Sequence, residues 1–246
     1  MLHIDVPGFA LVSAIFFGAG MVKGVLGMGM PTFAIGFLGL LMPVPQAASL
    51  LTLPSLVTNT WQAVAGGHLP TLLRRLWPLQ LGIAAGLACA GLVPSPDERL
   101  CRLVLGGCLA AYGLSGLLGW HLPAMAPRWE RPTGLLAGVA TGAIASITGV
   151  NVLPLVPWLQ ALRLDRRELA QALGLSFTTS TLALGVLLAA RGHLGADASV
   201  QSALALLPAV AGMLLGQVVR NEMPEAVFRR CFFAGLVLLG GWLVLR

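Results

Sequence analysis

The stretch FALVSAIFFGAGMVKGVLGMGMPTFAIGFLGLL, residues 9–41, holds a single charged side chain, Lys23. A helix needs about 20 apolar residues to cross a bilayer, so this run is too long for one ordinary crossing. Near its middle, Gly27-Met28-Gly29-Met30-Pro31 combines two flexible residues with a proline that removes a backbone donor. The run therefore reads as a membrane helix that is interrupted, not as one long rod.

Apolar runs continue outward over 46–66, 76–93, 100–120, 133–162, 169–190, 200–219 and 227–245. They are continuously apolar, whereas a membrane strand alternates apolar and polar positions, so the expected fold class is all-α, a polytopic integral membrane protein. Composition agrees: 57% of the 246 residues are hydrophobic, 10% are charged, and the mean hydropathy is +0.87, which excludes an ordinary soluble domain. The formal charge of +6 and the isoelectric point near 10.1 do not indicate a nucleic-acid partner. Every basic residue except Lys23 lies in a short connection or within a few residues of the end of an apolar run, the distribution that membrane topology demands. Met1 to Gly8 carries Asp5 and no Lys or Arg, so the first run is expected to belong to the mature protein and not to a cleaved signal. Cys89, Cys101, Cys108 and Cys231 form no CxxC pair. Reduced, buried packing is expected of them, with no disulfide, metal site or cofactor.

The second half of the chain repeats the first. At an offset of 122, Gly20 and Gly27 align with Gly142 and Gly149, and Gly29 with Asn151. At an offset of 130, Pro78, Gly82, Gly86, Pro94, Arg99 and Cys101 align with Pro208, Gly212, Gly216, Pro224, Arg229 and Cys231. Two repeats are expected, 1–121 and 122–246, together forming one membrane domain. The second long run is interrupted where the first is: Thr148-Gly149-Val150-Asn151 leads to Pro154. If each long run crosses once, the arginines divide six against eight between the two faces. If each turns back as a hairpin, ten share one face and four the other, which is a usable bias toward the cytoplasm. The hairpin arrangement makes the halves inverted, with both termini away from the cytoplasm. Breaks at matching positions of two repeats point to a transporter's binding site, and inverted halves lead us to expect Gly27 and Gly149 close together near mid-membrane.

All nine acidic residues fall at the N-terminus or in connections, which argues against a carboxylate relay or carboxylate sodium site and leaves an enzyme without an evident acid–base pair. Lys23 is the exceptional charge. A Lys at the centre of a membrane helix costs about 2.5–3.5 kcal/mol, so it either snorkels to an interface or faces a cavity and an anion. A helix N-terminus that begins after a break also suits an anion. The expected substrate-binding residues are Lys23, Gly27, Gly29, Asn59, Gly149, Asn151, Thr178 and Thr179, with Pro31, Pro54 and Pro154 as helix breakers. No catalytic residue is expected. Against this stands the plainer reading of each residue type: glycines that merely allow close packing, and hydroxyls satisfied by their own i−4 carbonyls.

The segment Gly20-Met-Val-Lys-Gly-Val-Leu-Gly27-Met-Gly29-Met-Pro31, echoed by Gly142 through Gly149-Val-Asn151 to Pro154, resembles the TauE/SafE-type sulfite exporters. The chain differs from the family's usual pattern by reading Gly29-Met30-Pro31 where three glycines are common. The resemblance implies movement of sulfite, a sulfonate or a related small organic anion across a bacterial inner membrane. The expected function is a secondary transporter, an exporter by preference, with alternating access between two repeats. An anion channel and a membrane enzyme or assembly subunit are the rival classes. The expected partners are a small anion and the lipid bilayer; whether two copies form a homodimer is left open by the sequence.

Overall fold

The computed structural model describes residues 6–94, 96–222 and 225–245. Asp5, Pro224 and Arg246, used in the reading above, lie outside the described residues. Among those described there are ten helices and no strand: α1 (Val6–Leu26), α2 (Met30–Leu38), α3 (Val44–Val64), α4 (Leu69–Gly91), α5 (Glu98–Leu117), α6 (Pro127–Thr148), α7 (Leu155–Ala161), α8 (Arg166–Ala190), α9 (Ala196–Glu222) and α10 (Glu225–Leu245). Five stretches are long and apolar enough to cross a membrane: Gly8–Leu26, Glu98–Leu117, Arg166–Ala190, Ala198–Arg220 and Ala226–Leu245. The protein is a multi-pass, all-helical membrane protein.

Both long apolar runs are broken, and in each the chain turns back. Gly27 (φ 74°) and Gly29 (φ 92°) separate α1 from the short α2, and Gly149 (φ 68°) ends α6. These left-handed values are open to glycine at little cost and strain most other residues. Pro31 sits in the first turn of α2 and Pro154 at the N-cap of α7, where a missing backbone donor is tolerated. Pro54 instead lies inside α3 and cannot donate to the carbonyl of Leu50. The hydroxyl of Ser202 on α9 donates to that carbonyl at 2.8 Å and accepts from the Leu53 N–H at 3.1 Å, so the helix defect is repaired from across an interface.

Four helix pairs carry most of the packing: α1 against α9, α4 against α6, α3 against α8 and α5 against α10. The first two pairs run parallel and touch through glycine. A Cβ built on Gly20 would lie 2.0 Å from the Ala209 carbonyl oxygen, and one on Gly212 would lie 2.0 Å from that of Phe17. On the other side, a Cβ on Gly82 would lie 2.3 Å from the Leu135 oxygen and one on Gly142 2.4 Å from that of Ile83. Backbones approach this closely only where small residues face each other. Of the glycines aligned by the two sequence offsets, Gly20 with Gly142, Gly82 with Gly212 and Gly86 with Gly216 are thus the contact points of two separate crossings. α3 and α8 run antiparallel, with Gly174 beside Gln62 and Ala63, and Gly185 beside Thr52.

These directions collect the ends of α1, α3, α5 and α9 with the starts of α4, α6, α8 and α10 at one end of the bundle. That end carries Arg74, Arg75, Arg128, Arg131, Arg163, Arg166, Arg167, Arg220, Arg229 and Arg230; the opposite end carries Arg99, Arg102 and Arg191. Two expectations need correction. Cys101 is buried, but Cys89 and Cys231 are exposed on the surface of the bundle, because their helices turn those positions outward. The two breaks do not meet at mid-membrane. The Gln62 amide donates to the Gly27 carbonyl near the end of α3, while Gly149 lies against Ala48 near its start. Fourteen residues of helix, about 21 Å, separate those levels. Because α1 and α6 run in opposite directions and each crosses nearly the full depth before breaking, their breaks lie at opposite ends.

Candidate functional site

The α1 break builds a polar cluster just inside the arginine-rich end. Lys23 lies in the last turn of α1, and its carbonyl accepts from the Gly27 N–H at 2.7 Å. Its residue is only 5% exposed. The ammonium donates to Thr58 Oγ1 at 3.1 Å and to Asn59 Oδ1 on α3. Thr58 in turn donates to the Pro54 carbonyl at 2.7 Å and touches Met30 Sδ at the start of α2. Lys23 is therefore not a snorkelling residue: it points into the bundle, toward neutral oxygens. The C-terminal end of α1 carries partial negative charge, which favours a cation there. No Asp or Glu occurs in α1, α2 or α3 to complete the compensation.

Several buried polar atoms have no hydrogen-bond partner among the described residues: Asn59 Nδ2, Ser55 Oγ and Thr32 Oγ1, and in the second half Asn151 Oδ1 and Ser180 Oγ. Leaving such an atom unmatched costs about 1–3 kcal/mol, so folded proteins rarely keep them without reason. Asn59 is the telling one. Its oxygen is committed to Lys23, so its amide N–H groups stay beside the ammonium as further donors, a combination suited to an oxyanion.

The second half contributes differently from what its sequence suggests. Thr178 and Thr179 donate to the carbonyls of Gly174 and Leu175 on their own helix, at 2.8 and 3.2 Å. The fully buried members of that polar stretch are Ser176 and Ser180; Ser176 accepts from Gln80 at 2.9 Å. Asn151 is buried beyond the α6 break. The position of Lys23 under the offset of 122 is held by Ala145, so the polar clusters are unequal and only the first contains a charge.

Next to the first break lies a cavity of about 480 Å³, within the range of small-molecule sites. Leu26, Gly27 and Met28 form part of its wall, with Tyr112 and Gln160. Arg166, Arg167, Arg220 and Arg229 line it, and among the described residues no Asp or Glu does. Sequence reasoning took these arginines only as markers of orientation. Gln62, one turn beyond Asn59, ties its edge together by donating to the carbonyls of Gly27 at 2.9 Å and Ala170 at 2.8 Å. At the opposite end, the space around Gly149, Arg191 and His193 is about 30 Å³, room for a water or two. There Arg191 donates to the carbonyls of Ala90 and Val93, at 2.9 and 3.0 Å, and joins α8 to the end of α4.

The family model of the sulfite exporter TauE/SafE proteins matches residues 12–243, nearly the whole chain. No curated protein and no solved structure matches it significantly. With its broken helices, its all-helical membrane bundle and this match, the chain belongs to the TauE/SafE sulfite exporter family of membrane transporters.

Proposed function

We propose that the protein is a secondary transporter that exports a small anion, sulfite, a sulfonate or a related organic oxyanion, across the bacterial inner membrane. The observation that carries this reading is Lys23: a buried ammonium held by neutral side chains, with unmatched donors beside it and no carboxylate on the surrounding helices α1, α2 and α3. A bound anion supplies the missing countercharge. The substrate site is assigned to Lys23, Asn59 and the Gly27–Gly29 backbone; Gly149 and Asn151, at the other break, lie outside it.

The two halves, 1–121 and 122–246, act as inverted repeats around this site. Support comes from the packing: α1 with α9 and α4 with α6 are equivalent pairs under the repeat, and α3 with α8 and α5 with α10 each pair a helix with its own counterpart. The end with ten arginines faces the cytoplasm by the positive-inside bias. Alternating access then exposes the site to the arginine-lined cavity in one state and to the Arg191 end in the other. Export of a monovalent anion from a negative interior releases about 2.3 kcal/mol per 100 mV, so no buried carboxylate is required for coupling.

Flux in proteoliposomes against sulfite, sulfoacetate, methanesulfonate and small carboxylates tests the reading. Saturable flux with counterflow by one of these anions is expected. Unitary currents without counterflow, or no flux of any of them, would overturn it.

A further inference from the structure

We propose that the arginine-lined cavity is a separate recruiting site for small oxyanions, which loads the Lys23 site from one face only. The inference rests on the transporter reading but concerns a different set of residues. Arg166, Arg167, Arg220 and Arg229 come from the start of α8, the end of α9 and the start of α10, so three helices of the second half bring cationic groups to a break in the first. They are exposed, so they hold an anion loosely and exchange it with water. Lys23, one turn behind the Gly27 wall, is buried and holds it in a dry setting.

Clefts lined by one sign of charge concentrate the opposite ion and raise its rate of entry, an effect that salt screens. Among the described residues the opposite end offers no comparable cluster of cations: the space beside Gly149 is only about 30 Å³ with its Arg191 guanidinium engaged by two carbonyls, and the larger pocket there, about 300 Å³, has one arginine, Arg102, which is paired with Glu98 on the same wall. The two faces should therefore differ in apparent affinity even though one buried site serves both. A guanidinium cluster also suits a phosphate of an anionic lipid headgroup. The geometry favours the soluble anion, because Tyr112, Gln160 and the Gly27 backbone line the cavity inward of the arginines, toward the helix break.

The test is sided flux of methanesulfonate and sulfite in vesicles of purely zwitterionic lipid, at low and high salt. For the wild type, KM measured from the arginine-rich face should rise severalfold between about 20 and 200 mM salt, with little change in kcat, while KM from the other face stays flat. The double variant Arg220→Gln/Arg229→Gln should raise the KM from the arginine-rich face by about tenfold and lose most of its salt dependence, a KM effect with kcat largely kept. Saturable flux with equal, salt-independent KM from the two faces overturns the recruiting site and leaves the transporter reading intact. A salt effect seen only after anionic lipid is added identifies the occupant as a headgroup and also overturns it. Absence of saturable flux in every arm overturns both readings.

Discussion

Replacing Gly212 by Ala adds one methyl group where the α9 backbone meets α1. A Cβ at that position lies 2.0 Å from the Phe17 carbonyl oxygen and 2.8 Å from its carbon, with the Met21 nitrogen at 3.1 Å. Carbon and carbonyl oxygen approach to about 3.3 Å even in favourable contacts, so the helices must part by roughly 1.3 Å. The obstacle is backbone on both sides and has no rotamer to relax into. Overpacking of this kind costs about 1–3 kcal/mol, and the absence of a flexible neighbour places this case near 3. For a chain of this size that corresponds to a fall of about 6–12 °C in melting temperature. Gly82→Ala on the α4–α6 crossing, with its Cβ 2.3 Å from the Leu135 oxygen, should fall by a similar amount. Gly107→Ala and Gly235→Ala, where nothing lies within 4 Å, serve as controls and should be neutral or stabilising by up to about 1 kcal/mol. Thermal unfolding of the purified protein in detergent measures all four. A Gly212→Ala protein that melts with the controls would refute the close parallel crossing.

Lys23→Met should assemble and yet lose most anion transport, with Lys23→Arg keeping part of it; unchanged substrate affinity in Lys23→Met would move the site away from the first break. Ser202→Ala leaves the Leu50 carbonyl without its donor and the Pro54 defect unrepaired, and should cost about 1–3 kcal/mol in the same melting assay. Asp165 caps α8, and the backbone N–H groups of Glu168 and Arg167 hold its carboxylate below the ordinary range. A depressed folded-state value stabilises above the unfolded pKa, near 3.9, and that contribution disappears as pH falls through the folded value. Melting of the wild type from pH 6 to pH 3 should therefore show an acid loss that Asp165→Asn lacks; identical profiles would refute the cap's role.

The membrane class, the two breaks and the ten-arginine end were legible because each follows from a local property of the chain. Apolar run length, glycine before proline, and charge between runs need no knowledge of neighbours. Lys23 was legible as an oddity for the same reason. Its companions were less so: Asn59 stood out as one polar residue in a cluster, and only the placement of α3 against α1 joins it to the ammonium. Thr178 and Thr179 were chosen over Ser180 because sequence does not tell which face of α8 is buried, and the hydrophobic pattern of a helix packed on several sides carries little direction. Arg220 and Arg229 looked like any other loop charges, since their convergence on the first break depends on the crossing of the halves. The expectation that Gly27 and Gly149 meet failed because residue spacing alone does not reveal how deep each hairpin reaches before it turns.

The exchange of partners between halves bears on how the protein is made. α1 emerges first, but α9, the helix whose glycines match its own, is translated roughly 190 residues later. At about 5–20 residues per second this is an interval of some 10–40 s. Throughout it, the nascent first helix stands in the membrane with its glycine groove uncovered, although its lysine gains Thr58 and Asn59 as soon as α3 packs against it. Insertion machinery or a lipid-facing chaperone must shelter that surface until the last helices arrive, and a ribosome stalled after α5 would leave a product unable to bury it.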